Sequence, residues 1–149
     1  MAQIERRANA VWTGDLASGS GTLTGGSGAF GELPVTWAAR TEKPGGKTSP
    51  EELIAAAHAS CYSMALSNTL ASAGHPPERL NVTAVCGLDP KPGGGFQIVS
   101  SNLSVRGRVP GLDQAGFEEM ARQGEQGCPV SNALRNSLQI GLEATLENE

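Results

Sequence analysis

The sequence predicts an α+β domain, because strand-like and helix-like segments fall in separate blocks along the chain. Two observations carry that expectation. One long apolar helix opens at a capping box, Ser49-Pro50-Glu51-Glu52. Strand-like runs bounded by Gly and Pro stand on both sides of it. At 149 residues the chain has the length of one domain, able to bury roughly two-thirds of the surface that its unfolded form exposes. Residues 1–149 are therefore expected to form a single domain.

Strands are expected first, near 4 to 12, 20 to 25 and 33 to 40. Apolar and polar residues alternate only weakly in the first, whereas the third contains Val35, Thr36 and Trp37, which suit a pleated surface. The 20 glycines are about twice the usual share. They cluster over 14 to 31 and 93 to 95 and read as turns between strands. Gly26-Ser27-Gly28-Ala29-Phe30-Gly31 matches G-x-G-x-x-G, but Glu32-Leu33-Pro34 and a strand follow where a dinucleotide site needs a helix. That segment is read as a turn.

At the helix start, Ser49 can accept from the Glu52 amide, Glu52 can reach back, and Pro50 fits the first turn. The helix is expected to run to about 73, where Gly74 supplies the stop and Pro76-Pro77 prevent continuation. From Leu53 to Leu70 it carries apolar or small residues on most faces, which places it at the centre of the fold, packed on antiparallel sheet. Two strands near 80 to 89 and 96 to 109 follow, joined by the hairpin loop Pro90-Lys91-Pro92-Gly93-Gly94-Gly95. Segments 113 to 126 and 130 to 137 read as short helices. Leu138, Ile140, Leu142, Ala144 and Leu146 then alternate as a last strand.

Composition removes several function classes. A formal net charge of -4 and a pI of about 5.2, with no run of Lys or Arg, give no footprint for a phosphate backbone, so no nucleic acid partner is expected. No apolar stretch approaches the roughly 20 residues of a membrane span. The start, Met1-Ala2-Gln3-Ile4-Glu5, is polar and unlike a signal peptide, so the expected location is the cytoplasm. Three cysteines argue against a disulfide scaffold and for thiols kept reduced.

Each thiol then stands on its own surroundings. Cys61, inside the long helix, reads either as a small core residue or as a nucleophile. Cys128, in Gly127-Cys128-Pro129-Val130, sits at a helix start where free amides and the dipole lower a thiol pKa, although an ordinary loop cysteine fits the same local pattern. Cys86 lies on a strand without nearby charge and reads as structural. His58, three residues before Cys61, is either a satisfied histidine or the base of a Cys-His hydrolase. No Cys-x-x-Cys or His-x-x-x-His spacing supports a zinc site, and no metal or cofactor is expected.

The run Ser49-Pro50-Glu51-Glu52-Leu53-Ile54-Ala55-Ala56-Ala57-His58-Ala59-Ser60-Cys61-Tyr62-Ser63-Met64-Ala65-Leu66, together with Gly127-Cys128-Pro129-Val130-Ser131, resembles the signatures of the OsmC/Ohr family, and the pattern extends along the whole chain. His58 makes it similar to the osmotically inducible OsmC branch. The resemblance implies an intertwined homodimer and a cysteine-based peroxidase that reduces organic hydroperoxides, and hydrogen peroxide more weakly. In that reading Cys61 is the attacking thiolate, Cys128 the resolving partner, and a dithiol of the lipoyl type the reductant. It also implies catalytic roles for Arg40, as the guanidinium beside sulfur, and Glu51, as the carboxylate that fixes it. Without the resemblance, Arg40 reads as a solvated residue at a strand end and Glu51 as a first-turn acid. A ligand-binding module that only packs Cys61 is the remaining alternative.

Ten residues of helix separate Glu51 from Cys61, about 15 Å of backbone. One arginine hardly bridges both, so the expectation is that Glu51 completes the site of the partner chain.

Overall fold

The computed structural model describes residues 2–148. Met1, where the polar start begins, and Glu149, the last residue of the expected domain, lie outside the described residues. The chain divides into two compact units, one ending at Leu53 and the other beginning at Ile54.

The first unit holds a sheet in the order β1 (Ala8–Thr13), β2 (Ser20–Gly25), β3 (Leu33–Val35), with both pairings antiparallel. β1 begins later than the expected residue 4 and is exposed throughout, so its weak alternation had no buried face behind it. The third strand is three residues long instead of reaching residue 40. Its end has a local cause. Thr36 acts as an N-cap, its hydroxyl accepting from the Ala39 amide at 3.1 Å, and starts helix α1 (Trp37–Thr41). Arg40 is therefore a helical residue, not one at a strand end. Pro34 is tolerated because β3 is an edge strand.

Helix α2 (Pro50–Ser72) starts and stops close to where its caps predict. Ser49 accepts from the Glu52 amide at 3.1 Å. The other half of the capping box is replaced: the Glu52 carboxylate accepts from the Thr48 hydroxyl at 2.6 Å. At the far end Gly74, with φ of 87°, takes the left-handed conformation that closes a helix.

The second unit carries a sheet in the order β4 (Arg79–Pro90), β5 (Phe96–Arg108), β6 (Gln139–Leu146). β4 and β5 form the expected hairpin, whose tip needs positive φ at Gly93, Gly94 and Gly95. β6 lies parallel to β5, from Ser100↔Gln139 to Gly107↔Leu146, while the other three pairings are antiparallel. The intervening helices α3 (Gln114–Gln126) and α4 (Pro129–Leu134) carry the chain back, as a parallel crossover requires. α4 ends short of the expected residue 137, where the Ser137 amide donates to the Leu134 carbonyl in a turn.

The core of this unit gathers Tyr62, Leu66 and Leu70 of α2, Leu103 and Val105 of β5, and Phe117 and Ala121 of α3. In α2 the buried residues His58, Tyr62, Leu66 and Leu70 recur every fourth position. The opposite side exposes Ala56, Ala57, Ser60 and Met64, the last at 68%. A helix whose composition suits burial on most faces thus buries one face within a single chain. Among the described residues no helix is long and apolar enough to cross a membrane.

The contact of α3 with α2 depends on a missing side chain. A Cβ at Gly124 would stand 3.0 Å from the Leu66 Cα and 3.2 Å from its Cβ. Gly124→Ala is expected to destabilise the fold by about 1–3 kcal/mol through this overpacking. An unchanged midpoint in denaturant unfolding would show that the helices move apart without cost.

Candidate active site

Cys61 and Cys128 come together in the second unit at the first turn of α4. Cys128 is fully buried as the N-cap residue, and its Sγ accepts from the Ser131 amide at 3.4 Å. Pro129 fills the first helical position, where no amide is needed. The Cys61 sulfur accepts from the backbone amide of Val130 and is hydrogen-bonded to the Cys128 thiol. Two sulfurs from elements far apart in sequence thus share two consecutive amides of one helix turn.

The electrostatics of Cys61 are opposed. Burial pushes its thiol above the ordinary value, the Val130 amide lowers it, and the hydrogen bond with Cys128 raises it.

His58 is buried and satisfied. Its Nδ1 is hydrogen-bonded to the Ser101 hydroxyl at 2.5 Å and its Nε2 to the Ser131 hydroxyl at 2.7 Å. Burial is the main influence, holding the imidazole below its usual range against the upward pull of Glu125. The ring is neutral at pH 7 and both nitrogens are occupied, which leaves no lone pair for Cys61 and removes the Cys-His hydrolase geometry. Cys86 pairs across the strands with Ser101, on β4.

Glu125 is buried at the end of α3, where its carboxylate accepts from the Arg135 Nη1 at 2.8 Å and Nη2 at 3.0 Å. Its carbonyl also accepts from the Cys128 amide at 3.2 Å. The turn that carries Cys128 is thus held from both ends.

Arg40 and Glu51 meet in the first unit. Arg40 Nε donates to Glu51 Oε1 at 2.9 Å and Nη2 to Oε2 at 3.0 Å, the two-point grip of a guanidinium on a carboxylate. Glu51 is buried, and the guanidinium stands 5.9 Å from the Trp37 ring centre. The pair borders an apolar cavity of about 400 Å³ lined by Trp12, Leu16, Leu23, Val35 and Trp37.

With this geometry in hand, the comparisons with known proteins are specific. Residues 43–143 match the family described as OsmC-like protein. The chain belongs to the OsmC family. It is 39% identical over 137 residues to Peroxiredoxin OsmC of Escherichia coli (strain K12), covering 92% of this chain and 94% of that protein. It is 33% identical to the Organic hydroperoxide resistance protein of Xanthomonas axonopodis pv. citri (strain 306), covering 66% of this chain and 67% of that one. Among solved structures, an organic hydroperoxide resistance protein OsmC from Legionella pneumophila superposes with a TM-score of 0.78 at 24% identity, covering 97% of this chain and 99% of that one. The last likeness establishes the OsmC fold.

The sequence missed Ser101, Ser131, Glu125 and Arg135. One signal was available: His58 continues the stripe of Tyr62, Leu66 and Leu70, and a histidine on a core stripe must find polar partners.

Proposed function

We propose that this OsmC-family protein is a thiol peroxidase that reduces organic hydroperoxides. The observation that carries the reading is the meeting of the Cys61 and Cys128 sulfurs at the first turn of α4. The names of the two relatives, a peroxiredoxin and an organic hydroperoxide resistance protein, support the reaction class.

The Cys61 thiolate attacks the outer oxygen of R–O–OH; an S–O bond forms, the O–O bond breaks, and the alkoxide leaves and takes a proton to become the alcohol. Cys61 is then a sulfenic acid. The Cys128 thiolate attacks that sulfur, an S–S bond forms, and hydroxide leaves to become water. An external dithiol, lipoyl-type in this reading, returns both thiols. Arg40, gripped by Glu51, supplies the positive group that favours the Cys61 thiolate and neutralises the alkoxide.

The working form in this reading is a cytoplasmic homodimer. Support comes from the apolar residues that a single chain leaves exposed, Val11, Trp12 and Leu16 in the first unit and Met64 in the second.

The test compares cumene hydroperoxide with hydrogen peroxide, using dihydrolipoamide and thioredoxin as reductants in parallel. Turnover of the organic peroxide with a dithiol is expected; failure of every pair overturns the reading. Cys128→Ser should consume one equivalent of peroxide and stop, accumulating a sulfenic acid that dimedone traps and mass spectrometry locates on Cys61. Normal cycling of that variant would remove Cys128 from the resolving role.

A further inference from the structure

The buried histidine of α2 has no part in the chemistry above, yet it joins the helix that carries one thiol to the turn that carries the other. His58 lies one helical turn before Cys61, and its Nε2 bonds the Ser131 hydroxyl at 2.7 Å. The amide of the same serine donates to the Cys128 Sγ. The preceding amide, that of Val130, donates to Cys61. On its far side the ring is anchored to β5 through Ser101. We propose that His58 is a positioning residue for the resolving step: by fixing Ser131 to α2 and β5, it holds the α4 turn so that the Cys128 sulfur lies against Cys61.

The physical argument starts from the shortness of α4. With six residues, the helix has little stability of its own and must be held by its contacts. Both its ends are tied to the buried Glu125, the N-terminal end through the Cys128 amide and the C-terminal end through the Glu125–Arg135 pair. Those contacts restrain the backbone of Cys128 but not the distance from α4 to α2. The His58–Ser131 bond restrains that distance directly.

All four polar groups involved, His58 Nδ1 and Nε2 and the two serine hydroxyls, belong to residues with 0% exposure. Water cannot replace a lost partner there without opening the core. The neutral ring donates to one serine and accepts from the other, so each bond is directional. For sulfur attacking sulfur the attacking atom must lie in line and in reach, and a small displacement costs rate steeply.

This inference rests on the peroxidase reading for its biological meaning, so its test uses a quantity that exists without peroxide. In glutathione redox buffers, the equilibrium between the dithiol and the Cys61–Cys128 disulfide gives the effective concentration of one thiol at the other. Ser131→Ala and His58→Asn, which both lose the link to α4, should lower that value about tenfold, the size expected for losing a buried hydrogen bond. His58→Gln, whose terminal amide reaches the position of Nε2, should restore it to within about threefold of the parent. In rapid-quench experiments with cumene hydroperoxide, the first pair should also accumulate dimedone-reactive Cys61 where the parent does not.

A merely structural histidine would give a different pattern. Ser131→Ala would then leave the effective concentration unchanged, or His58→Gln would lower it as much as His58→Asn does, and either result overturns the proposal. If His58→Asn does not fold, Ser131→Ala carries the same prediction with the ring in place. Failure of the parent protein to react with hydroperoxide overturns the peroxidase reading alone, because the glutathione equilibrium still reports on His58.

Discussion

Cys61→Ser is expected to abolish hydroperoxide reduction, lowering single-turnover peroxide consumption by more than about a thousandfold. The reason lies in the atom that attacks. Breaking the O–O bond needs a soft, anionic nucleophile, and a thiol ionises close enough to neutrality for a neighbouring charge and amides to complete the task. A serine hydroxyl ionises far above any pH the fold tolerates, so the same surroundings leave it neutral and unreactive. The fold should be unaffected, because the Cys61 side chain is only partly buried at the edge of the core and oxygen replaces sulfur with a smaller atom. Peroxide consumption by the purified variant, with its melting temperature unchanged, is the measurement. Residual activity within tenfold of the parent would show that another group, such as Cys128, attacks the peroxide.

The parts of the fold that were legible in the sequence are those written locally. Ser49 with Glu52, Gly74, and the three glycines after Pro92 each fix a backbone conformation by their own chemistry, and the elements that they bound lie where expected. Where two local signals competed, the sequence misled. Val35, Thr36 and Trp37 favour a strand by propensity, but Thr36 spends its hydroxyl as a helix cap, and Arg40 consequently leaves the strand. The direction of β6 was illegible because alternation reports a face and not a direction.

The candidate site divides in the same way. Cys61, Cys128, Arg40 and Glu51, and the pairing of thiol with thiol and guanidinium with carboxylate, were expected through motif resemblance alone, and the fold brings the members of each pair together. The partners of His58 stand 43 and 73 residues away, at two serines that nothing local distinguishes from the others.

Arg40→Lys is expected to slow the peroxide step by about 10- to 150-fold although the charge is kept, the range that corresponds to losing one charge-assisted hydrogen bond of about 1.5–3 kcal/mol. The grip on Glu51 uses Nε and Nη2 together, a planar pair of donors that an ammonium cannot reproduce. With one donor direction lost, the positive charge remains near Glu51 but is no longer held in one orientation, as the proposed role beside the sulfur and the departing alkoxide requires. Glu51→Ala should be at least as slow, since it frees the guanidinium altogether and removes the buried carboxylate that orders it. Both variants should shift the pH profile of the peroxide step upwards: burial already pushes the Cys61 thiol up, and a less well placed cation leaves more of that rise uncompensated, so the rate at neutral pH falls while that at alkaline pH recovers. A rate within threefold of the parent and an unmoved profile would return Arg40 to the role of a solvated helix residue. Glu51→Ala and Cys61→Ser together also test whether the proposed dimer shares its sites between chains. Mixing Cys61→Ser subunits with Glu51→Ala subunits leaves one intact set of Cys61 and Glu51 if the pair serves the partner chain, and none if it serves its own. Activity of the verified heterodimer well above either parent variant is the expected result, and a heterodimer as inactive as both would assign the pair to its own chain.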